Sequence, residues 1–304
     1  MFDFCIDPQN LDGFYWWSCY LTTGKHISFY TSFFVVFALL IVTVPLILLF
    51  GFLGAIARQS RIYPIRIFGI TYTSVVRGVP DIIFFLFVPI ALDQGIEYLR
   101  HKFKCSEWVE PIRQGNDFVV CQIAKMPMGS SDQWIHDTYG FFLAALAFSI
   151  VFGAFAANTI NGAINAVPPA QIETGVAYGM TRKQIFIRIQ LPQMWAYALP
   201  GLSNLWMILI KATPLLFLLG VQDIVYWARE LGGTKTARFT YPHSDWRLGY
   251  FIVLLVFYLF LSWVSEIFFN KLTLKVSKGQ ATLNGTVGGT IDYISVSDDE
   301  VRNS

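Results

Sequence analysis

The chain has few charged residues for its length. Of its 304 residues only 14% are charged, whereas 55% are hydrophobic, and the mean hydropathy is +0.51. Soluble globular domains carry about 25% charged residues, so this composition predicts a protein of the lipid bilayer. No basic patch is interleaved with aromatic residues outside the apolar segments, which argues against nucleic acid as a partner.

The sequence also lacks the common patterns of catalysis. Its histidines (His26, His101, His136 and His243) are scattered without H-x-x-x-H or H-E-x-x-H spacing, so no metal site and no catalytic residue is predicted. Without a P-loop the chain cannot hydrolyse ATP by the usual route. A membrane-embedded enzyme is the main alternative class and an ion channel is the second, although no filter-like motif is visible. No basic segment precedes an apolar one at the N-terminus, so no cleaved signal peptide is expected.

Long apolar runs predict five membrane-spanning helices. The first run contains no charged residue, and about 20 apolar residues are enough to cross a bilayer. We therefore expect an all-α integral membrane protein. Its predicted spans are 28–57, 62–92, 141–160, 196–221 and 251–269. The second of these is interrupted by Arg66, Arg77, Pro80 and Asp81, and Pro80 is a candidate break in the helix.

The distribution of Lys and Arg predicts the orientation of these spans, because basic residues concentrate on the cytosolic side. They cluster after the first span, in the third connection and after the last span: Arg58, Arg61, Arg66, Arg182, Lys183, Arg188, Lys271, Lys275 and Lys278. The N-terminus is therefore expected outside and the C-terminus in the cytosol. The expected organisation is an outer N-terminal segment (1–27), a membrane domain (28–272) with an outer loop (93–137) and a cytosolic loop (161–193), and a disordered tail (273–304).

All four cysteines fall in segments assigned to the outside: Cys5, Cys19, Cys105 and Cys121. An oxidising compartment permits disulfides there. Four unpaired thiols are the alternative, and the sequence alone does not reveal connectivity. We prefer the pair Cys105–Cys121 because both residues lie in one predicted loop.

A moderately polar stretch, "PPAQIETGVAYGMTRKQIFIRIQLP" (168–192), interrupts the apolar runs. Its leading prolines predict a helix start, and Gly179 predicts a helix stop, because glycine tolerates the left-handed conformation. A second helix is expected from Thr181. The helix over 171–178 either lies on the membrane surface or docks in a groove of another protein. It is short and not strongly basic, which favours docking.

The spacing in this stretch resembles the EAA loop of binding-protein-dependent ABC importers. The family pattern is E-A-A, three residues, G, nine residues, I, one residue, L-P. Here the positions hold Glu173-Thr174-Gly175, Gly179, Ile189 and Leu191-Pro192. The blocks "VVRGVPDIIFFLF", "INGAINAVPPAQIETG" and "LPGLSNLWMILIKATPLLFLLGVQDIV" extend the resemblance over roughly 28–272, to permease subunits of the histidine/lysine/arginine/ornithine type.

This resemblance implies a type I importer permease core in the bacterial inner membrane, with 93–137 facing the periplasm. The partners it implies are a cytosolic ABC ATPase dimer, a periplasmic amino-acid-binding protein and a second permease subunit, for which we favour a paralogue over a second copy of this chain. ATP and Mg would be bound by the ATPase, and no cofactor by this chain. The residues that couple the permease to the ATPase would be Glu173, Thr174, Gly175 and Gly179.

Polar residues within or beside the spans are candidates for the substrate pathway. Arg77, Asp81 and Lys211 are charged there, and such residues usually pair or face a cavity. In the resembling family the third span carries an acid and, three positions on, often an Arg, whereas this chain has Asn158 and Asn161.

Because an asparagine has no charge to hold a basic amino acid, we expect the partner permease to carry the main ligand-binding acid. Two alternatives stay open. The substrate is a neutral or acidic amino acid carried by a homodimer, or Asn158 simply packs between helices.

Overall fold

The structure, a computed structural model, describes residues 5, 13–105, 107, 112–114, 117–126, 131–219 and 221–276. Within these residues ten α-helices build the fold. They are α1 (Gly13–Leu21), α2 (Gly24–Arg58), α3 (Tyr63–Gly78), α4 (Asp81–Lys104), α5 (Gln133–Asn165), α6 (Pro169–Ala177), α7 (Arg182–Ile185), α8 (Leu191–Ala212), α9 (Ile224–Gly232) and α10 (Arg247–Val276).

The predicted all-α fold with five membrane-spanning helices is confirmed. Five helical segments are long and apolar enough to cross a bilayer: Gly24–Arg58, Ile82–Lys104, Gln133–Asn165, Arg182–Phe217 and Arg247–Val276. We call the end of the bundle where α2 begins the cap end and the end where α2 finishes the loop end. Lys25 at the start of α2 contacts Glu230 of α9, and Arg58 at its finish contacts Asn158 of α5.

The prediction of one span over 62–92 is wrong. The segment forms two helices, α3 and α4, and α4 alone is long and apolar enough to cross the membrane. Val79 between them is extended, with φ −111° and ψ 142°. The cause is Pro80, whose ring disfavours the helical conformation of the preceding residue. Helix α3 instead packs at the loop end, where Gly69 lies beside the Arg58 backbone.

The fourth span begins earlier than predicted and contains a change of helix type. Helix α7 continues into π-helical turns at Phe186–Gln190, then into α8, and ends in a 3₁₀ helix at Thr213–Leu219. The helix of the fourth span therefore begins within the predicted cytosolic loop and continues into the span without an intervening turn.

Close packing of small residues joins α2 to α5. A Cβ built on Gly51 would lie 2.9 Å from Ala156 Cβ, and one built on Gly54 would lie 2.7 Å from Ala157 Cβ. On the other helix, a Cβ on Gly153 would lie 2.5 Å from Phe50 Cβ. We call these three glycines and the side chains they face the glycine seam. It brings the two helix backbones close enough for extensive dispersion contacts.

The connection between α4 and α5 contains the described strands, β1 (Ile112–Gln114) and β2 (Asp117–Val119), which pair antiparallel. Both flanking helices extend into the loop predicted over 93–137. The predicted tail lies almost wholly outside the described residues.

Candidate functional site

The loop that resembles the EAA motif forms two helices joined by a tight stop. Helix α6 ends at Gly179, whose φ is +73°, and the predicted left-handed stop is confirmed. The Met180 N–H donates to the Gly175 carbonyl at 3.0 Å and the Gly179 N–H to the Val176 carbonyl at 2.9 Å. This pair of bonds is a Schellman motif, which satisfies carbonyls that the helix end leaves without partners.

The second helix begins at Thr181, as predicted. The Thr181 hydroxyl accepts a hydrogen bond from the Gln184 N–H, and the Gln184 side chain accepts one from the Thr181 N–H. Such a capping box satisfies two backbone donors at once. Local hydrogen bonds thus define the end of the first helix and the start of the second, which lie only a few residues apart.

Helix α6 packs on the segment that becomes the fourth span. Gly175 is buried, and a Cβ at this position would lie 2.8 Å from Ile189 Cδ1 and 3.1 Å from Ile185 Cγ1. A second contact is the hydrogen bond from Gln193 Nε2 to Gln171 Oε1. The long spacing of the motif therefore has a geometric reason, because it brings position 189 against position 175.

The opposite face of α6 is exposed. Val176 and Tyr178 are 61% and 81% accessible, and Glu173 is also exposed. The Thr174 hydroxyl donates to the Ala170 carbonyl of its own helix at 2.7 Å. An acidic and apolar face on a firmly packed short helix is suited to contact another protein.

Exposed basic side chains follow α6 in the chain. Arg182 and Lys183 at the start of the second helix and Arg188 in the π-helical turns are all exposed. The loop end therefore presents one short helix with an acid and large apolar groups, beside a basic rim.

The two asparagines proposed for the substrate pathway lie at the loop end and bond to α2. Arg58 Nη1 donates to Asn158 Oδ1 at 2.9 Å, and Gln59 Nε2 donates to Asn161 Oδ1 at 3.0 Å. Both side chains are half-buried. Their amide oxygens tie the end of α2 to α5, which agrees with the packing alternative. Their part in substrate binding stays a prediction.

The charged candidates are spread over three helices. Lys211 is exposed on α8 and forms no hydrogen bond or ion pair within the described part of the chain. Arg77 is exposed at the end of α3, and Asp81 is the first residue of α4. The break between α3 and α4 means that Arg77 and Asp81 do not share the face of one continuous helix.

A polar network at the cap end was not anticipated from the sequence. Buried His26 is hydrogen-bonded to Thr23 at 2.8 Å and to the Tyr250 hydroxyl at 2.7 Å. Tyr250 donates to Tyr20, which in turn is bonded to His243 at 3.2 Å. The network joins two segments, 20–26 and 243–250, that are more than two hundred residues apart, so no local signal marks the pairing.

Asp223 caps α9 at the same end. Its side chain is inaccessible to solvent and its Oδ1 accepts from the Tyr226 N–H at 2.9 Å. Burial raises the pKa of Asp223 to about 7, although backbone hydrogen bonds oppose the shift. Nearby, a hydrogen bond from Lys25 lowers the pKa of Glu230.

Both cysteine pairs are disulfides in the structure. Cys105 is joined to Cys121, the pair preferred from the sequence, and Cys5 is joined to Cys19. His101 lies close to the second pair. The two sulfurs are bonded to each other, so they do not offer the thiolates that a transition metal would need.

The amino-acid sequence is similar to those of known transport proteins. A family profile described as "Binding-protein-dependent transport system inner membrane component" matches residues 30–278. The "Histidine/lysine/arginine/ornithine transport system permease protein HisQ" of Escherichia coli (strain K12) is 32% identical over 231 residues, covering 75% of this chain and 84% of that protein. The "Arginine ABC transporter permease protein ArtQ" of the same strain is 28% identical over 224 residues, covering 74% and 84%.

A solved structure supports the fold. The "Crystal structure of an amino acid ABC transporter with histidines" aligns with a TM-score of 0.55 at 20% identity, over 80% of this chain and 94% of that one. At this identity the likeness concerns the arrangement of helices.

Proposed function

This chain belongs to the family of inner-membrane components of binding-protein-dependent transport systems, and from that premise we propose that it is the permease subunit of an ATP-driven importer of amino acids. Basic amino acids are the proposed cargo, because similar permeases are named for arginine and for histidine, lysine, arginine and ornithine. The comparisons give no support to a membrane-embedded enzyme or a channel.

The observation that carries this proposal is the geometry of α6. A transport subunit needs a rigid element that reports the nucleotide state of the ATPase to the spanning helices. The contact of Gly175 with Ile185 and Ile189 ties α6 to the root of the fourth span. Its free face offers Glu173, Val176 and Tyr178 to a groove on the ATPase. ATP and Mg are bound by that partner, and this chain carries no cofactor.

The cargo passes along a pathway shared with a second permease subunit. Lys211 supports this idea, because a charge in a spanning helix that has no partner among the described residues of its own chain usually faces a cavity or another subunit. Its ammonium group is suited to attract the carboxylate that all amino acids share. A paralogue is the proposed second subunit, and it would supply the acid that Asn158 replaces.

The loop end faces the cytosol and the cap end faces the periplasm of a bacterial inner membrane. The basic rim beside α6 supports this orientation, and so do the two disulfides at the other end of the chain's spans. The proposed periplasmic partner is an amino-acid-binding protein that delivers cargo to the cap end. At that end a cavity of about 620 Å³ is lined partly by polar side chains, among them Ser28, Thr31, Gln133 and Asp137.

The test is a charge reversal on α6, Glu173→Lys, in the intact complex. We expect the variant to reach the membrane, to retain less ATPase subunit on purification, and to lose transport and substrate-stimulated ATP hydrolysis together. Gly179→Asp should act in the same direction, because a side chain is strained at a φ of +73°.

The matched control is Glu107→Lys, an exposed charge reversal in the connection between α4 and α5. It should leave ATPase retention unchanged. Unchanged uptake and stimulated ATPase activity in both α6 variants would show that α6 does not couple the two subunits.

A further inference from the structure

Helix α1 is an aromatic helix without charged residues. Its sequence is GFYWWSCYL, and it precedes the region that matches the family, which begins at residue 30. Cys19 and Tyr20 face inward and are buried, whereas Phe14 is 81% and Trp17 is 47% accessible. The face of α1 that points away from the bundle is therefore apolar and aromatic.

Several contacts hold α1 against the start of the bundle. The disulfide Cys5–Cys19 links the last turn of α1 to a residue that precedes the helix. The Trp17 ring stacks on Trp246 with centroids 5.1 Å apart, and the Tyr30 hydroxyl of α2 donates to the Leu21 carbonyl at 3.2 Å. The orientation of the exposed face is thus fixed relative to the spanning helices.

A groove of about 590 Å³ runs between α1 and the first turns of two spanning helices. Trp17 and Leu21 line it from α1, Tyr30 from α2, and Leu248 and Val253 from α10. All five side chains are exposed. Because α2 and α10 are membrane-spanning, the outer face of α1 is continuous with the surface that those helices present to lipid.

We propose that α1 lies in the membrane interface at the cap end and that the groove binds phospholipid acyl chains. Tyr and Trp are favoured at this depth because their rings are apolar with one polar group. An apolar helix face of this size would be unfavourable in water. Helix α1 itself carries no charge, which fits insertion next to the headgroups better than contact with a polar protein surface. The groove lining also includes Asp245 and His26, polar groups that suit the headgroup end of a lipid. This inference depends on the spans alone and not on the proposed import function.

The experiment uses the full chain with its copurified subunits, reconstituted in phosphatidylcholine vesicles. The lipids carry bromine either near the headgroup end of one acyl chain or near its terminal methyl. The fluorescence of Trp17 is obtained as the difference between wild type and Trp17→Phe, which keeps an aromatic ring at the stacking position. We expect bromine near the headgroup to quench this difference at least about twofold more strongly than bromine near the methyl end, because interfacial rings lie at headgroup level.

Two further variants keep the outcome interpretable. Trp227→Phe reports a half-buried ring that lines the polar cavity, and its difference signal should respond to neither brominated lipid. Phe14→Asp places a charge on the most exposed position of α1 and should reduce the quenching of Trp17, without loss of folded protein in detergent.

Two results would overturn the proposal. If Trp17 is quenched by aqueous acrylamide but by neither brominated lipid, α1 projects into water. If it is quenched by neither reagent, another protein chain covers the groove.

Discussion

The two ends of the bundle are held together by opposite means. In the glycine seam, α2 and α5 approach closely because Gly51, Gly54 and Gly153 lack side chains. At the cap end, by contrast, large groups fill the space between α1 and the first turns of α2 and α10. These groups include the stacked rings of Trp17 and Trp246, the chain of hydrogen bonds through His26 and Tyr250, and the nearby disulfide Cys5–Cys19.

The two regions should therefore respond to different kinds of substitution. A seam that depends on absent side chains fails when volume is added, because neither backbone has room to move. At the cap end, removal of a single group should lower the free energy of unfolding only slightly, because the remaining contacts persist. An added methyl group should therefore destabilise the glycine seam strongly, whereas the loss of one bond should destabilise the cap end only moderately.

The largest effect is expected at the seam. Gly153→Ala places a Cβ 2.5 Å from Phe50 Cβ and 3.1 Å from the Tyr72 hydroxyl, and overpacking of this kind costs about 1–3 kcal/mol or more. The control is Gly162→Ala in the same helix, where a Cβ meets nothing within 4 Å. It should raise stability by up to about 1 kcal/mol, because alanine favours a helix over glycine. The thermal midpoint of the purified protein in detergent measures both, and equal midpoints would contradict the close packing of α2 on α5.

An effect of similar size is expected from the disulfides. The bridges Cys5–Cys19 and Cys105–Cys121 close loops with sequence separations of 14 and 16, which corresponds to about 3 kcal/mol each on the chain-entropy account and less where the native state is strained. The double variant Cys105→Ser/Cys121→Ser should lower the unfolding midpoint, and reduction of the wild type should lower it further.

Labelling of thiols in the unfolded, unreduced protein checks the bonds directly. No thiol should react before reduction and four should react after it. Four reactive thiols before reduction would exclude both bridges.

The smallest effect is a pH dependence at Asp223. Its folded-state pKa of about 7 lies above the ordinary value of 3.8, so the folded state favours the protonated carboxyl. The stability contributed by this group is therefore full below pH 3.8 and is lost as pH rises through about 7. Asp223→Asn keeps an acceptor for the Tyr226 N–H and should flatten the profile of unfolding midpoint between these two values.

The control for this effect is Asp245→Asn. Asp245 is exposed and accepts a hydrogen bond from the Arg247 N–H at the start of α10. That variant should keep the wild-type profile. A wild-type profile in Asp223→Asn as well would assign the pH dependence to another group.

Structural features that depend on a short stretch of sequence were predictable, whereas features that depend on contacts between distant residues were not. Hydropathy revealed the spans because apolar length is a local property, and Gly179 revealed the end of α6 because glycine alone adopts a positive φ without strain. The same reasoning joined α3 to α4 in one span, because hydropathy alone does not decide whether Pro80 kinks a helix or ends it. It also placed the end of the second span near residue 92, although α4 continues through polar residues to Lys104.

The same distinction between local and long-range features applies to the candidate site. The motif spacing located α6, but the reason for a glycine at position 175 required the position of Ile189 in space. The partners of Asn158 and Asn161 come from a helix about a hundred residues earlier, and the network around His26 joins residues separated by more than two hundred. No pattern within a window of sequence contains such pairs.

The π-helical turns at Phe186–Gln190 determine the rotational phase between α6 with its loop and the fourth span. An α-helix turns about 100° per residue, and a π-helical turn accommodates one residue more than an α-helical turn. On the loop side of these turns, Ile185 faces α6. On the span side, Met194 and Ala198 are buried with Ile160 and Ala163 of α5. Without the extra residue, one of these two faces would be rotated by about 100° away from its partner, so the widened turns allow a single unbroken helix to serve both.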